Sequence, residues 1–562
     1  MKVSRRFFSN LQLWLPAIIF LIALAARLLP GSRTIDDSFI TYRYARNLLA
    51  GYGFVYNPGE RVLGTTTPLY TFLMVALGLL GGGVQAPFPN LAMLVNALAD
   101  GVTCLLLIRL GRRLGYPLAG LGAGLAWAIA PFSVTFAIGG LETSLYVLLL
   151  VAMASAHVEK RHILAAGLAA LALLTRPDAL ILIGLLAMER AIEIFKSGQH
   201  PSKQDDHWKM RLIRQAKNAW LAMTNKWVLL ELLVFFVPVL AWGVFATAYF
   251  GSPLPHSIAA KSLAYRLPPE AGFIRLLQHY ATPFQDQLTF GNLWIGVGMV
   301  IYPFLYLAGA LEVWRSTRSA WPLLAYPWLY LAVFALANPL IFRWYLTPPL
   351  PFYILIILAG AERLIYALGR SFAGRIGARH KTARDDAPVE YSPGLLTRSV
   401  LVFFVVLAPA ILSLRDWQIH PDHGLDRPAP SMAWYKLELL YRQVADSLAA
   451  DLQNGSSPSP ILAAGDVGVL GFYTSAHILD TVGLNSPQST RYYPLDPAYY
   501  VISYAIPPDL ILEAQPDYLV ILEVYGREGL LKDPRFWAAY QLRQKIPTDI
   551  YGSDGMLVFE RK

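Results

Sequence analysis

A segment that crosses the hydrocarbon of a bilayer needs about twenty consecutive apolar residues, and it must be helical to satisfy its own backbone there. Apolar runs of this kind recur through the sequence at 11–30, 88–110, 117–138, 141–157, 163–175, 179–195, 227–250, 293–311, 320–337, 346–361 and 400–414. They predict a polytopic α-helical membrane protein with about eleven transmembrane helices. Composition agrees. Of 562 residues, 55% are hydrophobic and only 15% charged, where a soluble domain carries roughly a quarter charged residues. The first run follows Lys2, Arg5 and Arg6, as in a signal peptide, but no small-residue cleavage pattern comes after it. It reads as a retained helix.

The net charge of +10 is a topology signal. The basic residues sit in short loops between apolar runs, and no nucleic-acid module is recognisable, so no nucleic-acid partner is expected. With eleven spans and a cytoplasmic N-terminus, Arg112, Arg113, Lys160, Arg161, the stretch 196–226, Arg315, Arg318 and the stretch 363–398 all fall inside. That is the arrangement the positive-inside rule requires. The runs 163–175 and 179–195 share the break Thr175-Arg176-Pro177-Asp178. Reading them as one kinked helix would put two basic loops outside, so they read as two spans. The loop 31–67, the turn 139–142, the loop 251–290 and the tail from 415 then lie outside the cell membrane. The apolar stretch 68–81 has the length of one helix in the outer interface.

The sequence divides into a membrane part, 1–414, whose outer loop 31–87 carries an acid pair, and an extracytoplasmic domain, 415–562. Residues 431–452 have helical periodicity. Residues 461–464 and 518–523 read as buried strands, and 541–546 could pair with 556–561 beside them. This alternation predicts a small α/β domain. His420-Pro-Asp-His423 has metal-ligand residue types but no regular spacing, and reads as a polar connector. Lys203–Lys217 reads as a topology determinant that also touches anionic lipid. The single cysteine, Cys104, can form no disulfide within the chain.

The first outer loop is the most informative segment. It reads Thr34-Ile-Asp-Asp-Ser-Phe-Ile-Thr-Tyr-Arg-Tyr-Ala-Arg-Asn47 and opens a helix with two adjacent acids. At 100° per residue, Asp36, Arg43 and Asn47 share one face, while Asp37, Thr41 and Tyr44 share the next. Capping and the helix dipole explain one acid well and two less well. This string, with Gly51-Tyr-Gly-Phe-Val-Tyr-Asn-Pro-Gly-Glu-Arg61 and Gly64-Thr-Thr-Thr-Pro-Leu-Tyr70, resembles the first outer loop of the GT-C-fold glycosyltransferases, enzymes that use polyprenyl-phosphate sugars. Gly140-Leu-Glu-Thr143, Thr175-Arg-Pro-Asp178, Tyr249-Phe-Gly-Ser-Pro-Leu-Pro255, Asp466-Val-Gly-Val-Leu-Gly-Phe-Tyr473 and Asp480-Thr-Val-Gly-Leu484 are similar to the branch that contains the mycobacterial terminal arabinofuranosyltransferase. The lipid A aminoarabinose transferases and the protein O-mannosyltransferases resemble it more distantly.

The resemblance implies transfer of a sugar from a polyprenyl-phosphate donor to an extracytoplasmic glycan, lipid or protein, with a catalytic acid in the first loop. By position Asp36 matches the leading acid of that motif, with Asp37 beside it. The chemistry is coherent with these residue types. A carboxylate lowers the cost of deprotonating the acceptor hydroxyl, and fixed cations stabilise the departing phosphate. Candidate binding residues on the outer face are Arg43, Glu142, Arg176, Asp178, His256, Lys261, Arg343 and Tyr345. Arg176 and Asp178 interrupt an apolar segment, which is costly unless they face an aqueous cavity. No cofactor is expected, and a divalent metal draws no support from one acid pair. A transporter of lipid-linked substrates is the rival reading, but no internal repeat is evident. A scaffold that only displays the tail leaves the acid pair and the outer cations unexplained.

Overall fold

The computed structural model describes residues 2–197, 225–378, 395–415, 417–418, 429–430, 433–454, 460–474 and 476–562. His420–His423 and Lys203–Lys217 lie outside them. Every predicted span is helical. Among the described residues six helices are long and apolar enough to cross a membrane: Phe88–Arg113, Lys226–Phe250, Leu293–Ser316, Arg318–Ala337, Leu350–Ser371 and Leu396–Leu414. A seventh candidate is bent by 47° between Pro117–Ile129 and Pro131–Ile138, where Pro131 removes a donor and displaces the preceding residue from helical geometry. Trp14–Leu28, Thr143–Val158 and His162–Thr175 are apolar but shorter. The protein is a multi-pass membrane protein.

The break at Arg176 is a reversal of direction. Arg176 is extended, with φ −153° and ψ 136°, and Pro177–Ala179 form a single 3-10 turn before Leu180–Ser197. Lys160 Nζ then meets Glu193 Oε1 at 2.7 Å across a separation of 33 residues. One continuous helix would hold those residues about 50 Å apart. Residues 163–195 are therefore a hairpin of two helices.

Arg27 and Asp100 form an ion pair with no solvent exposure, at 2.8 Å. The pair is fully dressed. Trp127 Nε1 and Ser144 Oγ donate to the carboxylate, and Arg27 donates to the carbonyls of Ala23 and Ala128. It ties the first helix to Phe88–Arg113 and to the bend at Ala130. Asp100→Ala strands the guanidinium, and breaking a buried pair from one side costs about 3–5 kcal/mol. The expected result is a lower thermal midpoint in detergent, with Arg27→Ala/Asp100→Ala less damaging than Asp100→Ala alone.

The tail forms a five-stranded sheet in the order His477–Asp480, Ile461–Ala464, Tyr518–Leu522, Met556–Arg561, Tyr540–Ile546. The first three strands are parallel and the last two antiparallel. Tyr518–Leu522 is central and buried at every position, as a continuous apolar run demands. Tyr540–Ile546 is the edge, and its exposed Arg543 guards it against pairing with another chain. Helix Ala433–Asn454 matches the predicted periodicity. The strand His477–Asp480 was not predicted, because four residues beside a turn carry too little pattern.

There are two hydrophobic cores. One runs through the membrane helices. The other joins the first outer loop to the tail: Phe39, Tyr42, Tyr44, Phe54, Tyr56 and Tyr70 pack in one cluster with the sheet residues Leu462, Val520 and Phe559. The loop 31–87, which the sequence attaches to the membrane part, thus shares its interior with the tail. Helix Pro68–Gly81 docks into this second core through Tyr70 and Met74, and leaves Leu79 and Leu80 exposed.

Candidate active site

The helix Asp36–Leu49 separates its two acids. Asp36, Arg43 and Asn47 point toward the tail, and each is buried. Asp36 Oδ2 accepts from Gly468 N at 2.8 Å and Oδ1 from Val469 N at 2.7 Å. Its own N–H donates to Glu438 Oε1 at 2.9 Å. Arg43 donates to the carbonyls of Tyr56, Gly471 and Ala476 and to Asn57 Oδ1. Asn47 donates to Val55 and Tyr56. This face binds the loop 51–57 on one side and the Asp466–Tyr473 segment on the other. The glycines there are dictated by contact. A Cβ on Gly468 would lie 1.8 Å from the Asp36 carbonyl oxygen, and one on Gly471 would lie 2.1 Å from the Tyr56 hydroxyl.

Asp37, one residue on, takes no part in this clamp. It lines a cavity of about 400 Å³ at the junction of the outer loops and the tail, which Asp36 also borders, and a smaller one of about 70 Å³ beside it, which Asp36 does not reach. Ile40, Lys261, Trp344 and Leu484 line both, so the two are lobes of one site. Lys261, Arg275 and Arg343 supply cations to the larger lobe. The tail supplies Asp466, Glu438, Tyr504, Tyr525 and Tyr551. The smaller lobe is walled by Thr65, Thr66, Thr67, Glu142, Arg176 and Tyr345.

Charge is distributed unevenly. Burial opposes the Lys261 ammonium, but Tyr345 and Asp37 outweigh it, and its pKa stands above that of an ordinary lysine. Its Nζ lies 5.2 Å from the centre of the Phe342 ring. Desolvation and the neighbouring Arg343 lower the Arg275 pKa, as expected when like charges are brought together in a buried site. Across the cavity, burial pushes the Asp466 carboxyl up to about 6, against the hydrogen bond it accepts from Tyr441. Burial also raises Asp36, followed by the charge of Asp466, and the two backbone N–H groups only partly offset this.

The other predicted residues fall in three places. Arg176 is buried and paired with Glu142 at 3.2 Å and Asp178 at 2.9 Å, with its guanidinium 4.5 Å over the Tyr345 ring. Arg343 is in the larger lobe, while Tyr345 and Glu142 are in the smaller. Asp178 borders the site only through Arg176. His256 donates its backbone N–H to Leu63 at 2.9 Å and is outside both lobes. Arg43 is also outside them and is held by carbonyls. Sequence reasoning missed Arg275, Glu438 and the site role of Asp466. Asp466 was at least visible inside a motif string. Arg275 sits in an amphipathic helix, Ala271–Ala281, where an arginine is unremarkable.

Among the described residues no group of three or more His, Cys, Asp or Glu is placed to hold a metal ion. A larger apolar cavity, about 870 Å³, lies between Thr143–Val158, His162–Thr175, Leu180–Ser197 and Lys226–Phe250. It is at the opposite ends of these helices from Glu142 and Arg176. Its Arg190 pairs with Glu231 at 2.7 Å and with Glu193 at 3.1 Å, and Glu193 also pairs with Lys160.

The fold resembles that of solved GT-C membrane proteins. It superposes on the oligosaccharyltransferase of Archaeoglobus fulgidus with a TM-score of 0.52 at 13% identity, over 98% of this chain and 74% of that one. A looser likeness, TM-score 0.48 at 12% identity, extends over 98% of this chain and 97% of ArnT from Cupriavidus metallidurans. In sequence, the chain is 31% identical over 235 residues to the terminal beta-(1->2)-arabinofuranosyltransferase of Mycobacterium tuberculosis. That match spans 41% of this chain and only 35% of the relative. Residues 433–559 match a family described as a domain of unknown function, DUF8728, which corresponds to the folded tail.

Proposed function

We propose that the protein is a membrane glycosyltransferase that moves a sugar from a polyprenyl-phosphate donor to an acceptor outside the cytoplasm. One observation carries this reading. A single cavity, at the junction of the outer loops and the tail, sets the carboxylates Asp37 and Asp466 among Lys261, Arg275 and Arg343. The sequence match to an arabinofuranosyltransferase supports the same class of reaction and puts arabinofuranose first among candidate sugars. The membrane half would hold the isoprenoid. The N-terminus would be cytoplasmic, the tail extracytoplasmic, and the spans about eleven, with the hairpin at Arg176 supplying two of them.

In this reading the acceptor oxygen attacks the anomeric carbon as the bond to the phosphate oxygen breaks. Negative charge grows on the phosphate, and Lys261, Arg275 and Arg343 are placed to meet it. A carboxylate of the cavity takes the acceptor's proton. Of the predicted acid pair, Asp37 is the member that enters the reaction, because Asp36 has both oxygens on backbone N–H groups. Arg43 and Arg176 become structural residues: the first is saturated by carbonyls and the second by two acids.

The test is incubation of purified protein with a panel of polyprenyl-phosphate sugars, arabinofuranose included, followed by mass spectrometry of the products. No transfer from any donor sinks the reading. Arg275→Ala and Arg343→Ala are each expected to raise the donor KM about tenfold, near the 1.5–3 kcal/mol of a charge-assisted hydrogen bond. Lysine at either position should restore part of the loss, since it keeps the charge without the planar fork. Arg176→Ala should act on stability first, as it leaves two buried carboxylates unpaired. A thermal midpoint equal to the parent's would return Arg176 to the donor site.

A further inference from the structure

Asp466 belongs to the tail, yet it faces the same cavity as Asp37 of the first loop. Its Oδ2 accepts from the Tyr441 hydroxyl at 2.8 Å, and its Oδ1 has no hydrogen-bond partner among the described residues. The segment that carries it is pinned. Asp36 grips the N–H groups of Gly468 and Val469, two and three residues further on. Tyr56 donates to the carbonyl of Val467, the next residue. The first loop therefore fixes where a carboxylate of another domain stands. A clamp of this kind around an acid with one free oxygen is more than packing requires.

We propose that Asp466 is the general base: its free oxygen takes the proton of the acceptor hydroxyl, and Asp36 is the positioning residue that holds it there. This rests on the glycosyltransferase reading and decides which carboxylate does which work. The acceptor oxygen forms its bond to the anomeric carbon. The electron pair of the broken carbon–oxygen bond leaves with the polyprenyl phosphate. The acceptor's proton passes to Asp466 and later to water. Asp37 has the Lys261 cation for a neighbour and faces the positive charge that develops at the anomeric carbon.

The surroundings suit the role. Helix Ala433–Asn454 presents Tyr441 and Glu438 to Asp466. Helix Asp36–Leu49 presents Asp36 and Asp37, and Asp480 stands at the end of the adjacent strand. The hydroxyls of Tyr265, Tyr504 and Tyr525 face it too, all held above the ordinary tyrosine range by burial, and the cations Lys261, Arg275 and Arg343 line the same cavity. An acid crowded by acids and buried holds its proton to higher pH, about 6 here. A base performs best when its pKa lies near the working pH.

The experiment combines kinetics with a titration that needs no turnover. For the parent, kcat/KM for transfer from polyprenyl-phosphate arabinofuranose should rise with pH through about 6, as the carboxylate ionises. Tyr441→Phe removes the hydrogen bond that favours ionisation and should move that limb to higher pH. Asp466→Asn should lower kcat about 10²–10⁴-fold, with donor binding and thermal midpoint unchanged. Difference infrared spectra should show a carboxyl band that titrates with the same midpoint, moves up in Tyr441→Phe and vanishes in Asp466→Asn. A kcat for Asp466→Asn within tenfold of the parent's, or a pH limb that Tyr441→Phe leaves in place, overturns the assignment. If the parent shows the band but transfers no sugar from any donor, the glycosyltransferase reading itself has failed.

Discussion

Asp37→Asn is expected to lower turnover by about 10²–10³-fold, the usual effect of removing one group that stabilises charge in a transition state. Donor affinity and thermal stability should remain near the parent's. The reason is geometric. Asp37 is half-buried in the cavity wall and has no hydrogen bond that folding depends on. Asparagine keeps the shape and removes the charge. Asp36→Asn should show the opposite profile. An amide offers one acceptor oxygen where the carboxylate offers two, so one of the N–H groups of Gly468 and Val469 loses its partner. A buried unsatisfied group costs about 1–3 kcal/mol, and the loss should appear in the thermal midpoint before it appears in chemistry. If Asp36→Asn is as stable as the parent yet inactive, while Asp37→Asn is active, the roles are reversed.

Gly468→Ala should uncouple the tail from the first loop. The new methyl would meet the Asp36 carbonyl oxygen at 1.8 Å and the Asp36 carboxyl carbon at 2.9 Å. Both are backbone or near-backbone atoms that cannot swing aside. The strain of an overpacked site, about 1–3 kcal/mol, adds to the loss of the two hydrogen bonds that Asp36 accepts. The expected phenotype is faster hydrogen exchange in 36–49 and 466–473 and a loss of transfer of at least 100-fold, roughly 3 kcal/mol. Secondary structure by circular dichroism should not change, because the strand ladders of the sheet and the core of the membrane helices do not run through this contact. Exchange rates matching the parent's at both segments would show that this contact does not hold the domains together.

Much of the architecture was legible because lipid imposes a simple rule. A segment that spans it must be apolar for about twenty residues and must be helical, so each apolar run named a helix. The alternating texture of the tail likewise announced strands at 461–464, 518–523, 541–546 and 556–561. The acid pair, Lys261 and Arg343 were identifiable from residue type and placement alone, and all four line one cavity, Asp36 with both carboxylate oxygens taken by backbone N–H groups.

The sequence by itself could not say what each charge faces. Asp36 and Asp37 are chemically identical neighbours, and only 100° of helical rotation puts one in a clamp at the cavity's edge and leaves the other out of it. Arg43 looked like a free cation because its partners Gly471 and Ala476 lie far away in the chain, and Arg176, whose pairing with Asp178 is local, meets its second acid, Glu142, only across a reversal. Asp466 is 429 residues beyond Asp37 by number, and nothing local connects them. Apolar periodicity is set by the solvent and is read one segment at a time. A charged site is set by distances of a few ångströms between segments, because Coulomb and hydrogen-bond energies in a buried site fall steeply with separation, and those distances exist only once the tail has closed over the first loop.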